Sequence, residues 1–406
     1  MNSSGQSSSS GSVVGAMLVA CLGHFVTDFF LGIWPIFKTM AGIDLRVAGI
    51  IAAVCVVFGE GSQLFFGSLS DRGYGKRVFI FSMLMIGAGA LFSSTLSYGA
   101  IVGLYLIMAV GSGAFHPTGA SLASRVAGDR KGLFLSTFSA IGYLGLASSQ
   151  LVYVSTLHYF NGSTVVLMLL PLIVGLVVLF FYRFPEVTKK KTSSHGFSEI
   201  RELFSHPQLS LLYLALVCNQ IVFWAMVFIL PDLLLAKGYP MGLALGGGHL
   251  ALIGGGALMM IPSGYLADIF GERRIMSVAA SISVVLLYAL LFLPVLSPVK
   301  VFILLLCLGG GISVLLPVGV AMGTRILPEQ PGLVSAFLMG GVWIVSEGVG
   351  PMTAGILSSM FTDGGPVKVL AIMGICCLIS LYCIRRLGYL NSNVGPSEFE
   401  SVAVGG

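Results

Sequence analysis

Long apolar runs, cut by short clusters of Gly, Pro and charged residues, dominate the chain. Runs of membrane-spanning length fall at 13–40, 47–69, 78–96, 99–124, 132–157 and 164–183. They resume at 210–236, 247–268, 275–295, 301–324, 332–360 and 367–386. A helix needs about 20 mostly apolar residues to cross a bilayer, so the pattern predicts six spans, a polar linker and six more. The runs do not alternate apolar with polar, which argues against a β-barrel. The expected fold is all-α and integral to the membrane, with twelve helices in two six-helix bundles, 13–183 and 210–386. An N-terminal tail over 1–12, expected to be disordered, and a tail over 387–406 flank them. In the linker, 184–209, the apolar residues Phe197, Ile200, Leu203 and Phe204 recur at helical spacing. That spacing predicts a short amphipathic helix lying at the membrane surface.

Composition agrees. Of the 406 residues 56% are hydrophobic and 9% charged, against roughly a quarter charged in soluble domains, and the mean hydropathy is +0.98. A water-soluble enzyme is excluded. The net charge of +5 raises the question of nucleic acid, and the placement of the charges answers it. With the N-terminus inside, only Lys38, Arg46, Lys237, Lys300 and Lys368 of the 21 Lys and Arg face outward. The positive-inside rule then puts both termini in the cytoplasm of a cell whose cytoplasmic (inner) membrane the chain crosses, and no nucleic-acid partner is expected. The first twelve residues carry no charge and so lack the basic region of a secretory signal, which keeps the first run as a true span. Seven cysteines, all in apolar stretches, read as helix-packing residues. The chain shows no nucleotide loop, metal-ligand spacing or nucleophile–base spacing, so neither enzyme activity, cofactor nor metal is expected.

The halves repeat. An offset of 200 pairs Gly111, Pro117, Gly119, Arg125, Gly132 and Leu133 with Gly311, Pro317, Gly319, Arg325, Gly332 and Leu333. An offset of 196 pairs Pro35 with Pro231, and one of 197 pairs Gly67 and Asp71 with Gly264 and Asp268. Parallel repeats of this kind place a solute site near the membrane midplane, between the halves.

Between the second and third spans stand Gly67, Asp71-Arg72 and Gly75-Lys76-Arg77; after the eighth stand Gly264, Asp268, Gly271 and Arg273-Arg274. This pattern resembles the signature loop of the major facilitator superfamily, with Ile269 where a base is usual in the second copy. Gly67 and Gly264 allow close helix approach. Asp71 can sit against the positive end of the eleventh span near Gly332, and Asp268 against the fifth near Gly132. The resemblance implies that these contacts, with Arg72, Arg125 and Arg325, latch the cytoplasmic side in the outward-open state. A solvated turn with basic anchors is the alternative. A narrower set, Gly23-His24, Asp28, Trp34-Pro35, Gly113 and His116-Pro117 with Arg125, is similar to the fosmidomycin-resistance group of drug efflux proteins. That likeness implies export of a drug against inward proton flow. The fifth span, Gly142 to Gln150, lacks the Gly-Pro motif common in antiporters, whereas Gly350-Pro351 stands in the eleventh.

Ionisable residues inside a span are costly and so are functional candidates. Five lie near mid-depth: His24, Asp28, Glu60, His116 and Glu347. His24 and Asp28, four apart, share one helix face. The resemblance implies that the first, fourth, seventh and tenth spans line the cavity, which puts His24, Asp28 and His116 there with Asn219, Gln220 and Trp224 opposite. Asp28 is expected to be the main proton carrier with His24 beside it, and Glu60 and Glu347 are the reserves. Each has a structural alternative. Asp28 can simply partner His24, His116 can satisfy backbone freed by Pro117, Trp224 can pack, and the others can hydrogen-bond between helices. No Lys or Arg is expected at mid-depth, so an anionic substrate would need a protonated His.

The expected function is proton-coupled efflux of a small drug or metabolite by alternating access, acting as a monomer; a nutrient importer is the alternative and a non-transporting receptor the remote one. Topology gives the first prediction. In a chain without its native cysteines, Cys at position 97 or 364 should react with an impermeant thiol reagent from outside, and Cys at 194 only from inside. Labelling of position 194 from outside would reverse the orientation.

Overall fold

A computed structural model describes residues 10–127, 131–184, 197–361 and 364–391. The Lys189-Lys190-Lys191 run and most of both tails lie outside them. Every regular element among the described residues is helical. Ten helical stretches are long and apolar enough to cross a bilayer. One of them, Leu45–Ser94, is broken at Gly73, whose φ of +96° is open to glycine and strained for other residues. It therefore holds two spans, and the shorter Val165–Phe181 completes the twelve.

Span 1 is Ser10–Leu31 and Ile33–Met40, span 2 Leu45–Leu69, span 3 Gly75–Ile86 and Gly87–Ser94, span 4 Tyr98–Val126, span 5 Lys131–Tyr159, and span 6 Val165–Met168 and Leu169–Phe181. Span 7 is Pro207–Ala236, span 8 Leu243–Gly247 and Gly248–Phe270, span 9 Glu272–Phe292, span 10 Pro298–Ile326, span 11 Pro331–Ser358, and span 12 Gly365–Met373 and Ile375–Asn391. The linker helix, Phe197–Ser205, is docked on the second half. Its Leu203 is buried there, and the Phe204 ring meets Tyr213 and Phe337 edge-on at 5.2 and 4.7 Å.

Inside lipid the backbone must satisfy itself within each helix, and helices associate through close packing of small residues. The repeat shows in that packing. Span 1 lies on spans 4 and 5 as span 7 lies on spans 10 and 11, and span 2 packs on span 4 as span 8 packs on span 10. At the same place in both pairs a glycine faces a carbonyl: a Cβ at Gly59 would press on Ala109 O, and one at Gly255 would collide with Leu306 O.

Two further contacts, span 2 with span 11 and span 5 with span 8, join the halves. They lie on the face opposite the signature loops. There Gly49 sits beneath the Pro351 carbonyl, His249 Nε2 meets Leu146 O at 2.7 Å, and one continuous core runs through both halves. Toward the signature loops the second half packs a separate core. On that side Leu64, Phe65 and Tyr265 are exposed, and a Cβ at Gly264, Gly332 or Gly340 would meet nothing. The molecule is sealed on one face and open on the other.

The seal contains an ion pair that corrects the sequence reading. Lys38, counted there among the outward-facing charges at the end of the first run, is fully buried and paired with Asp232 of span 7. Thr39 Oγ1 donates to Asp232 Oδ1 at 3.1 Å, Lys38 Nζ donates to Thr39 at 2.9 Å, and the Phe228 ring lies 4.7 Å from the ammonium. A buried charge deprived of its partner destabilises by about 3–5 kcal/mol. Asp232→Asn should therefore loosen this face, and a cysteine at buried Ile36 should then label faster. Lys38→Met with Asp232→Leu should restore protection. Equal labelling rates in Asp232→Asn and the parent would show that the pair does not hold the seal.

Candidate functional site

Span 1 brings His24 and Asp28 together one turn apart, and the neighbouring spans shape the space around them. The His24 ring stacks on Phe138 of span 5 at 4.0 Å, and its Nδ1–H donates to Phe138 O at 2.8 Å. Gly142, one turn further, leaves room: a Cβ there would lie 2.6 Å from Asp28 Oδ2 and 2.7 Å from His24 Nε2. From span 4, His116 reaches the same carboxylate. Its Nδ1 is 3.1 Å from both Ser112 O and Ser112 Oγ. Pro117 frees the Gly113 carbonyl, one residue along from the Ser112 carbonyl that His116 engages.

Both imidazoles thus turn Nε2 toward Asp28. His24 Nε2 is 3.3 Å from Oδ2, and His116 Nε2 is 3.4 Å from Oδ1. The donor atoms of all three lie within 4.8 Å of one another. The sequence reading found no metal-ligand cluster, because span 4 supplies the third residue from far along the chain. His24 is buried, while the Asp28 and His116 side chains keep 14% and 18% of their surface open.

Glu60 of span 2 accepts a hydrogen bond from Gln63 and lies within Coulombic reach of His116 and Asp28. Glu347 of span 11 interacts with both Glu60 and Asp28, and Tyr143 of span 5 lies near Asp28 and Glu347. The five ionisable residues expected near mid-depth therefore form one electrostatic group. Four come from the first half and Glu347 from the second.

The residues picked on span 7 divide. Asn219 Nδ2 donates to Ile312 O of span 10 at 2.8 Å, so this amide joins helices within the second half. Gln220 is buried with Oε1 unpartnered among the described residues, and so is Trp224 Nε1. Trp224 lines a cavity between the halves, with Trp34, Tyr105, Phe228, Pro351 and Glu347. The Trp34 indole N–H is likewise unpartnered, and Glu347 is the only charged residue in this lining. Gly32 forms part of the wall, one turn of span 1 from Asp28.

The signature-loop residues pair within their own halves. Arg125 Nη2 is 3.2 Å from Asp71 Oδ1, and Arg325 reaches Asp268 Oδ1 and Glu272 Oε1, each at 2.8 Å. Neither aspartate sits on the start of span 11 or span 5, because the halves are apart on this face. For the same reason Gly264 has open space where close approach is expected, while a Cβ at Gly67 would lie 3.4 Å from the Pro117 side chain. Arg72 is exposed. Three functional candidates escape the sequence reading: Lys38, Asp232 and His249. The first two lie near the paired Pro35 and Pro231, and opposite charges at corresponding ends of a repeat are a signal that could reveal them.

Residues 16–260 and 251–399 match the Major Facilitator Superfamily, and the chain belongs to that family. Comparison with curated proteins gave no match. Among solved structures, an inward-facing bacterial homolog of the human lysosomal transporter Spinster is 16% identical, over 96% of this chain and 99% of that one, with a TM-score of 0.72. The nucleoside transporter NupG is 15% identical over 92% and 99%, at 0.70. The E. coli fucose:proton symporter FucP is 15% identical over 93% and 99%, at 0.62. At these identities the likeness is one of fold.

Proposed function

We propose that this transporter exports a small molecule across the cytoplasmic membrane in exchange for protons, working as a monomer with both termini in the cytoplasm. Its two halves rock about the contacts of spans 2 and 11 and of spans 5 and 8. The observation that carries this reading is the Asp28–His24–His116 cluster, with Glu60 and Glu347 within electrostatic reach and a cavity between the halves one helical turn away. Transport by alternating access needs polar groups converging from both halves at such a place, and a receptor scaffold does not. The efflux direction, and drug-like substrates with it, are supported by the motif likeness to the fosmidomycin-resistance group. The aromatic walls and single carboxylate of the cavity suit an amphipathic molecule with hydrogen-bond acceptors or a positive charge.

Asp28 is the main proton carrier in this reading. It is the carboxylate that two imidazoles approach, and its charge cannot stay unmatched when the cavity changes sides. Gly67, Asp71, Arg72 and Arg125, with Gly264, Asp268 and Arg325, form the latch that closes the signature-loop face when the halves rock back.

Two tests follow from these roles. Asp28→Asn should abolish accumulation driven by a pH gradient in proteoliposomes and spare exchange of labelled substrate. Accumulation at the parent rate in Asp28→Asn, together with its loss in Glu60→Gln or Glu347→Gln, would move the role to those residues. Asp71 is partly exposed and its ion pair contributes at most about 1 kcal/mol to stability, so Asp71→Asn should leave thermal unfolding nearly unchanged. It should instead raise the fraction of molecules open on the signature-loop face, read by spin-label distances across that face. An unchanged distance distribution would reduce the loop to a solvated turn.

A further inference from the structure

The geometry points to the His24–Asp28–His116 cluster as a binding site for a divalent first-row transition-metal ion of the zinc or cobalt kind. The inference deepens the reading of the cluster as an exchange site by naming a second occupant.

The argument starts from hydrogen bonds. A backbone carbonyl can only accept, so the contact with Phe138 O places the hydrogen of the His24 ring on Nδ1; His116 Nδ1 meets both Ser112 O and Ser112 Oγ, and in the tautomer that donates to the carbonyl its Nε2 is free as well. In the neutral imidazole Nε2 then carries a lone pair. Both lone pairs face the oxygens of one carboxylate, at 3.3 and 3.4 Å. Three acceptors turned toward each other in a mostly buried site are unfavourable unless something positive lies between them. Protons on both Nε2 atoms are one solution, and a metal ion is the other.

Three features favour the ion as well as the proton. A backbone carbonyl holding the far nitrogen of a histidine is the usual outer-shell support of a metal-binding imidazole, fixing tautomer and ring direction. Here both histidines have it. The gaps are longer than the roughly 2.7–2.9 Å of a closed N–H to carboxylate bond. They run to the two different oxygens of the carboxylate, and with one ligand atom from each residue the three lie within 4.8 Å of one another, room for one ion between them. The donor set, two imidazoles and one carboxylate, suits borderline divalent ions and not Mg²⁺ or Ca²⁺, which favour oxygen. Gly142 supplies the space, since any side chain there would intrude between His24 and Asp28.

The charged and titratable groups around the cluster are Glu60 on span 2, Tyr143 on span 5 and Glu347 on span 11. The carboxylates add negative potential, which favours either occupant.

The test uses the full chain, with any purification tag removed, in detergent or nanodiscs. Co²⁺ should bind one ion per chain with the visible absorption of nitrogen and oxygen ligation, Zn²⁺ should displace it, and Mg²⁺ in excess should not. Affinity should rise with pH, because protons and ion compete. His24→Gln, His116→Gln and Asp28→Asn should each weaken binding at least about tenfold. Gly142→Ala, which keeps all three ligands, should weaken it as well. Lack of Co²⁺ binding by monodisperse wild-type protein overturns the inference, as does binding of equal strength in the ligand variants. Binding is read without flux, so its failure leaves proton-coupled transport standing, and failure of pH-driven accumulation leaves the metal site standing.

Discussion

The two close contacts between the halves, span 2 on span 11 and span 5 on span 8, are the constraint on which the rest of the structure turns. The internal repeat exchanges them for one another, so the pair forms a symmetric bearing. At such contacts glycine and carbonyl meet, as Gly49 does with Pro351, and little side chain intervenes to lock the register. Close packing of small residues is how helices associate where lipid offers no hydrophobic drive, and the same smooth surfaces allow two rigid bundles to tilt. Chemically different is the Lys38–Asp232 pair, which joins the halves at the sealed face.

Symmetry in the backbone sets off an asymmetry in the chemistry. The offset of 196 that aligns Pro35 with Pro231 also sets Gln220 at the place of His24 and Trp224 at the place of Asp28. Gly145 faces the Phe25 carbonyl as Gly350 faces the Ile221 carbonyl, which puts Glu347 at the place of Gly142. The first half thus keeps a charged pair and an empty position beside it. The second half has an indole and fills the corresponding position with the carboxylate. One repeated position thus holds the His24–Asp28 pair on one side and an aromatic wall on the other.

Much of this was legible along the chain because the bilayer imposes its length on the sequence. Twelve runs, the linker and the repeated signature loop need only the period and cost of apolar helices. His24 and Asp28 could be paired because four residues make one turn. Their approach to His116 could not be read, since it depends on how span 4 crosses span 1. Asn219 looked like a cavity residue and is spent on the Ile312 carbonyl, a partner supplied by another helix. Lys38 looked like an outer anchor because it ends an apolar run, and only the docking of span 1 on span 7 shows that its ammonium is buried. Sequence periodicity fixes which face a residue occupies on its own helix. It carries no information on which foreign helix that face meets.

The cluster lies where the tilt of the halves must matter to it. A ligand shifts a two-state equilibrium only by as much as its affinity differs between the states, so coupling requires that occupancy change what the site experiences as the molecule closes around it. An empty Asp28 is a carboxylate facing two lone pairs, tolerable while water reaches its open surface and costly once that water is excluded. Positive occupancy removes the cost, and the occupied site can then be enclosed. Carriers of this design pass through the closed intermediate readily when loaded and reluctantly when empty, and that difference alone makes the movement of one solute depend on the return of another.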